Sequence, residues 1–370
     1  MRVLVVNAGS SSLKLSVLDG DAVLSSESRP TPRGRAGEDD VREAIERCGP
    51  VDAVGHRVVH GGDEFVEPVR VDGRVLRRLE ALADLAPLHQ PKSLRALELV
   101  GRVLPDVPAV ACFDTAFHAR IPAAAATYAL PAEWRKRWNL RRYGFHGLSH
   151  AYVAERVAEL AGRPVGELRT VSCHLGAGAS LAAIDRGVSV DTTMGFTPLE
   201  GLVMATRSGS VDPGLVLWLE EHVGMPPTEL ASTLEHRSGL LGLTGSADMR
   251  AVLEAEAAGD ADAGLAVEVY LHRLRREIAG MAAALGGLDA IAFTGGVGER
   301  SPEIRGRAAA GLAFLGVELD DGANAAGEPD AEIGRAGAPV RAFAIAARED
   351  VQIAREVRRV LGESENGGTE

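Results

Sequence analysis

Arg2-Val-Leu-Val-Val-Asn7-Ala-Gly9-Ser10-Ser11-Ser12-Leu-Lys14-Leu-Ser-Val-Leu-Asp19-Gly20 is the stretch whose reading decides the fold. An apolar strand runs into a tight Gly-Ser turn, a second strand leaves it, and Asp19-Gly20 turns the chain again. The turn offers backbone N–H groups and hydroxyls to an anion, with Lys14 as a point charge beside them. It lacks the second glycine of a Walker A loop, and strand rather than helix follows it. Alone, such a hairpin is more often just a turn.

A second copy changes that. Thr170-Val-Ser-Cys173-His174-Leu-Gly176-Ala177-Gly178-Ala-Ser180-Leu-Ala-Ala-Ile-Asp185-Arg-Gly187 repeats the plan of strand, Gly-containing turn with a serine, strand and Asp turn. Two such loops could hold the two ends of a polyphosphate. Internal repetition sets the expected architecture: two duplicated α/β halves with a cleft between them. The halves are expected over residues 1–148 and 149–361, with a disordered polar tail over 362–370.

A chain of 370 residues can build two domains, each with its own core. The net charge of −12 argues against a nucleic-acid surface. Cys48, Cys112 and Cys173 have neither CxxC nor zinc spacing and read as reduced, mostly buried thiols. The opening Met-Arg-Val-Leu-Val-Val-Asn reads as a strand too short for a signal peptide, and no apolar run approaches membrane-spanning length. No membrane partner and a cytoplasmic location are expected.

A third strand is expected at Ala22–Ser26, a mobile loop over Ser25–Asp40, a short helix over Val41–Cys48 and a strand from Val51 to Gly55. Helical spacing covers Val75–Leu85 and Ser93–Leu104, and Ala109–Phe113 is a strand delivering Asp114 at its carboxyl end. Ser149 is the expected cap of a helix over Tyr152–Ala161, where the halves meet. In the second half, helices are expected after Asp212-Pro213, over Thr228–His236 and over Leu265–Leu285. Asp289–Phe293 is a strand entering the Gly-rich loop Thr294–Glu299, and Ser301-Pro302 opens a helix. Arg341–Ile345 is the last strand, and Asp350–Val360 the last helix.

Phosphoryl transfer needs positive charge where the moving group spreads its own, and a carboxylate for the metal. Arg57 in Gly55-His-Arg57-Val-Val59-His60-Gly-Gly62 and Arg207 in Thr206-Arg207-Ser-Gly209 are loop arginines among small residues; a surface arginine in a turn is the plain alternative. Gly144-Phe145-His146-Gly147 flanks an aromatic–histidine pair with glycines, so the backbone can approach a ligand closely. Asp114 stands at a strand end, where open α/β sheets build sites, or caps a turn. Glu349 and Asp350 either complement a helix dipole or hold a metal.

Together these stretches resemble the acetate kinase family, the acetokinase branch of the superfamily of sugar kinases, chaperone ATPases and actin. The resemblance runs in family order from Asn7–Lys14 through Gly55–Gly62, Phe113-Asp114-Thr-Ala-Phe-His118, Gly144–Gly147, His174-Leu-Gly176, Thr197-Pro198-Leu-Glu-Gly201, Thr206–Gly209, Ser246-Ala-Asp248-Met249-Arg250 and Phe293–Glu299. It implies two actin-like, ribonuclease H-like domains and reversible transfer of a phosphoryl group between ATP and acetate, giving acetyl phosphate and ADP. It also implies Mg²⁺ or Mn²⁺ and a homodimer formed through the second domain. Arg57, Asp114, His146 and Arg207 would be catalytic. Val59, Leu88, Phe145 and Pro198, with Arg57, would hold the acyl group. Ser10, Ser12 and Lys14 would meet phosphate, and Asn7 and Glu349 would serve the metal. His174, Gly176, Ala177 and Gly178 would form the second phosphate loop. Asp248, Met249, Arg250, Gly295, Gly296, Val297 and Gly298 would surround the adenosine.

Four positions depart from the family pattern: Ala177 in place of Asn, Arg300 in place of Asn, Ala347-Arg348 in place of Thr with Asn or Asp, and Ser210 in place of an acidic residue. Three of these lie on the nucleotide or metal side. Propionate or butyrate as acceptor and a donor other than ATP therefore stay open, as does a nucleotide-binding regulator without turnover.

Overall fold

The structure, a computed structural model, describes residues 1–8, 12–30, 37–82 and 90–362. These residues form two six-stranded sheets. The first contains β1 (Arg2–Ala8), β2 (Ser12–Asp19), β3 (Ala22–Pro30), β4 (Ala53–Val58), β5 (Val69–Arg70) and β6 (Ala109–Phe113), in the order β3-β2-β1-β4-β6-β5. The second contains β7 (Arg169–Leu175), β8 (Ala179–Asp185), β9 (Val188–Thr192), β10 (Ala290–Thr294), β11 (Ala331–Glu332) and β12 (Arg341–Ala344), in the order β11-β12-β10-β7-β8-β9.

Counted from its other edge, the second order repeats the first strand for strand. The leading strand of each sheet pairs antiparallel with its hairpin partner and parallel with the strand after the crossover. The last long strand of each is parallel to its inner neighbour and carries a short antiparallel edge strand. Even a bulge recurs, between Val17 and Leu18 in one sheet and between Ala183 and Ile184 in the other. The expected duplication is the architecture.

Strand alternation explains the layering of the first sheet. Leu4, Val6 and Val54 face α1 (Glu38–Cys48) and α3 (Gln90–Val103), meeting Val41, Ile45, Leu99 and Val100 in one buried cluster. Each such side chain contributes roughly 1.5–3 kcal/mol by leaving water. A smaller cluster joins Phe65, Phe113 and Leu97 to Val75 and Leu79 of α2 (Gly73–Ala81). The last helix, α9 (Glu349–Leu361), covers the opposite face of β4. A Cβ at Gly55 would lie 2.5 Å from Ile353 Cγ2 and 2.7 Å from Val357 Cγ2, so the helix seats only because Gly55 has none.

In the second sheet α6 (Ala261–Ala284) packs on β7, β8 and β9. Nearby are α5 (Met249–Ala257), α7 (Gly295–Arg300) and α8 (Pro302–Ala310), which adjoin α6 or the end of β10. Among the described residues no helix is long and apolar enough to cross a membrane.

Packing contacts divide the chain at more points than the single boundary at 148/149. One unit holds Met1–Ala119, Phe145–Tyr152 and the chain from Arg348 onward; the other holds Arg120–Gly144 and Val153–Ala347. The helix α4 (Gly147–Ala161) contains the expected boundary, and Ser149 lies buried inside it rather than capping it. The helix begins earlier because Gly147 donates its N–H to Asp114 O at 2.8 Å, an approach that a Cβ would block at 2.3 Å.

Three further expectations are corrected. Ser25–Pro30 continues β3 instead of forming a loop; β3 is an edge strand, and its polar outer face hides the usual alternation. Residues 31–36 lie outside the described residues, and Glu38–Asp40 already belong to α1. Thr294–Glu299 is a strand end followed by the helical turn α7, not an open loop. Of the expected tail, Gly362 is the left-handed C-cap of α9, and 363–370 lie outside the described residues.

Candidate active site

In the first unit, three parallel strands deliver polar residues at their carboxyl ends: Asn7 on β1, Arg57 on β4 and Asp114 just past β6. Arg57 forms a fork on Asp114, with Nε to Oδ1 at 2.9 Å and Nη2 to Oδ2 at 2.7 Å. Its Nη1 reaches Asn7 Oδ1 at 3.3 Å and lies 3.3 Å from Glu349 Oε2. Asn7 Nδ2 donates to the same Glu349 oxygen at 3.2 Å. Glu349 arrives on the first turn of α9, so four segments distant in sequence meet at one guanidinium.

Asp114 is 2% exposed, and burial raises its pKa against the pull of Arg57. Burial alone would lower the pKa of Arg57, but Asp114 and Glu349 outweigh it and hold the guanidinium charged. Behind this cluster burial pushes the Glu356 carboxyl of α9 up to about 7, although Cys112 and Gln352 bond to it. Cys112 and Cys173 are free and buried and Cys48 is free and partly buried, as expected of reduced thiols.

Gly147 brings the Phe145-His146 segment against Asp114. Phe145 is buried, with the His60 ring edge-on at 5.5 Å and its carbonyl 3.1 Å from His118 Nε2. Burial lowers the pKa of His56, His60 and His118 to about 4. At neutral pH these rings are uncharged, and because a carbonyl only accepts, His118 carries its proton on Nε2 and donates to Phe145 O. His146 itself has φ 57, a costly conformation for a residue with a Cβ and one that concentrates at functional sites. Val59 follows β4 and is partly buried; Ser12 is partly buried and Lys14 exposed on β2. Ser10 and Leu88 lie outside the described residues.

In the second unit the equivalent strand ends border a cavity of about 640 Å³. Gly176 and Ala177 after β7, Gly296 and Val297 of α7, and Asp248, Met249 and Arg250 at the start of α5 all line it. A Cβ at Gly176 would lie 3.9 Å from Gly296 N, which shows how closely the two glycine turns approach. Gly295 and Gly298 serve packing instead: their Cβ positions would fall 2.9 Å from the Leu175 backbone and 3.2 Å from that of Phe293. Gly178 closes the turn by accepting from Gly176 N at 3.0 Å, and His174 is nearly buried on β7. Asp248 caps α5 and binds Arg250 through Oδ1 and Oδ2, so these two charges satisfy each other.

Sequence reading missed Leu240, Leu253 and Tyr270 in the cavity wall. Leu253 stands one helical turn past Met249 and was open to inference; Tyr270 reaches the wall only through the packing of α6. Arg207 of the same unit donates to Pro198 O at 2.9 Å and reaches Met204 Sδ at 3.6 Å. Burial lowers its pKa, and Glu235 only partly offsets this, so an anion would stabilise its charge.

Twin sheets with their loops at strand ends, one carrying a clamped arginine and the other a glycine-turn cavity, define an α/β phosphotransferase of the actin-like class. Comparison narrows the class. Residues 38–355 match the acetokinase family. The acetate kinase of Leifsonia xyli subsp. xyli is 46% identical, covering 97% of this chain and 98% of that protein. Among solved structures, Porphyromonas gingivalis acetate kinase superposes with a TM-score of 0.90 at 33% identity, covering 97% of this chain and 99% of that one. A propionate kinase from Francisella tularensis superposes with a TM-score of 0.89 at 34% identity and the same coverage. The chain belongs to the acetokinase family.

Proposed function

We propose that this enzyme reversibly transfers the γ-phosphoryl group of ATP to acetate, forming acetyl phosphate and ADP. The carrying observation is Arg57, forked on buried Asp114 with its remaining nitrogen turned to Asn7 and Glu349. A carboxylate is already nucleophilic at neutral pH, so alignment and charge stabilisation supply the rate without a general base. Arg57 and Arg207 bind the carboxylate and the phosphoryl oxygens, Asp114 orients Arg57, and His146 donates to the moving group. Val59 and Phe145 meet the acyl group from the first unit. Ser10, Ser12 and Lys14 contact phosphate. The cavity of the second unit takes the nucleotide, with Gly176, Ala177 and Gly296 at its phosphate end and His174, Gly178, Gly295 and Gly298 supporting the turns.

Glu349 and Asn7 would hold Mg²⁺ or Mn²⁺. The donors fit: both offer hard oxygen, and Asn7 Nδ2 lies 3.2 Å from Glu349 Oε2, so the two side chains are adjacent. A magnesium-type ion bound by one carboxylate completes its shell with water and phosphate. Bound there, it would neutralise phosphate charge.

A nucleotide-binding regulator without turnover would have no use for the charged cluster around Arg57. The protein is proposed to be cytoplasmic and to form a homodimer through the segment Pro213–Val223 of the second unit, where Leu215, Leu217, Trp218 and Val223 are half exposed. Steady-state acyl phosphate formation, measured with acetate, propionate and butyrate against ATP, GTP and pyrophosphate, tests the reading. Acetate with ATP is expected to give the highest kcat/KM. Propionate is expected to follow, since one methylene in an apolar pocket discriminates by only about 1–3 kcal/mol. No turnover of any carboxylate would refute it.

Ala177 lies at the phosphate end of the cavity without a side-chain donor. Ala177→Asn is therefore expected to tighten ATP binding by about 0.5–1.5 kcal/mol. Calorimetry returning an unchanged or weaker Kd would show that backbone N–H groups already satisfy the phosphates.

A further inference from the structure

Ile345, Ala346 and Ala347 are the last residues of the second unit before the chain returns to the first at Arg348. The strand β12 has ended at Ala344, yet each of the three N–H groups is held. Ile345 N donates to Phe293 O at 2.9 Å, Ala346 N to Asp330 Oδ1 at 3.1 Å and Ala347 N to Glu299 Oε1 at 2.9 Å. Two of the acceptors are carboxylates, which form the stronger, charge-assisted kind of bond. Asp330 adopts φ 61 to make its bond, a conformation that costs energy for a residue with a Cβ. The alanines have no polar side-chain atoms with which to anchor the segment themselves.

Glu299 is in turn fixed from behind. Its carbonyl accepts from Arg305 Nη1 at 2.7 Å, and that fully buried guanidinium also binds Gly298 O at 2.8 Å, Asn324 Oδ1 at 2.8 Å and Asn324 O at 2.7 Å. Asn324 Nδ2 closes the network on Pro302 O at 2.9 Å. The carboxylate that holds Ala347 therefore grows from the same braced turn that presents Val297 and Arg300 to the cavity. Two residues beyond Ala347 stands Glu349, the first residue of α9.

We propose that Glu299 is a positioning residue for Glu349: by fixing the Ala347 N–H it sets where α9 begins and so where the Glu349 carboxylate stands. The inference rests on the reading of Glu349 as the metal-holding residue. Mn²⁺ titrated into the full-length protein with saturating ADP, with free ion followed by its EPR signal, gives a readout independent of turnover. Glu299→Ala is expected to weaken Mn²⁺ binding about tenfold, as loss of a partner that orients a metal ligand does, and to leave the KM for acetate within about twofold. Glu299→Gln keeps an acceptor oxygen and is expected to bind Mn²⁺ within about twofold of the parent protein. Ala347→Pro removes the N–H while leaving Glu299 and the cavity wall in place, and is expected to reproduce the loss of Glu299→Ala. Unchanged Mn²⁺ affinity in Glu299→Ala overturns the proposal, as does a Gln variant no better than the Ala variant. Glu349→Gln separates the two readings. If it leaves Mn²⁺ affinity intact, the metal reading falls and the proposal with it. If it weakens binding while Glu299→Ala does not, only the tether falls.

Discussion

Arg207→Ala is expected to lower kcat at least about a hundredfold, because it removes charge that acts on the phosphoryl group in transfer. Among the described residues its side chain bonds a carbonyl and a thioether sulfur and feels the Glu235 carboxylate without bonding it. Truncation therefore leaves no carboxylate without a bonded partner, and the melting temperature should move little. Arg57→Ala is expected to cost at least as much turnover, but with a second signature. Asp114 is then left buried without its countercharge, and breaking a buried pair from one side costs about 3–5 kcal/mol. Adding Asp114→Asn to Arg57→Ala should recover part of that stability and none of the rate. Turnover near the parent level in either single variant, measured on protein shown to be folded, would remove these arginines from the chemistry.

Acid should unfold this protein steeply. His56, His60 and His118 have folded pKa values lowered to about 4, whereas an unfolded histidine titrates at 6.5. The unfolded chain therefore binds more protons than the folded one across that interval, so stability is full above 6.5 and is lost as pH falls toward 4. Glu356 works in the opposite direction. Its folded pKa, about 7, lies above the ordinary 4.5, so its contribution is full below 4.5 and is lost as pH rises through 7. Counting these four alone, three groups that take up a proton on unfolding against one that releases it leave a net uptake of about two, or roughly 3 kcal/mol per pH unit between pH 6.5 and 4.5. Asp114 and Asp191, whose pKa values burial also raises, make the slope shallower at its acid end. Urea unfolding at a series of pH values measures this slope. Glu356→Gln should steepen it toward about three protons. A flat profile would mean that the three imidazoles become charged without leaving the fold.

Much of the fold was legible because it is written in short-range signals. The two hairpins, β6 and α6 each show their own period within their own residues, and the repeat of the hairpin announced the duplication. The polar edge strand β3 was not legible, since one side of it faces water and the alternation that marks a buried strand is missing. Nor was the start of α4, which depends on a carbonyl thirty-three positions earlier accepting from Gly147. The candidate site divides in the same way. Arg57, Asp114 and Glu349 stood out as charged residues among glycines or at strand and helix ends, but their convergence required the strand order β1-β4-β6, which no local pattern specifies. Tyr270 and the bond from Glu299 to Ala347 come wholly from tertiary packing.

The seating of α9 against Gly55 also sets an order of events in the cell. A chain made from its amino end delivers β1, β2 and β4 well before the helix that covers them, Glu349–Leu361. One face of the first sheet, with Arg57 and Asp114 at its strand ends, therefore waits uncovered while nearly all the remaining residues are translated. The second unit, complete at Ala347, has every strand in hand before that. The half that is begun first is the half that is finished last.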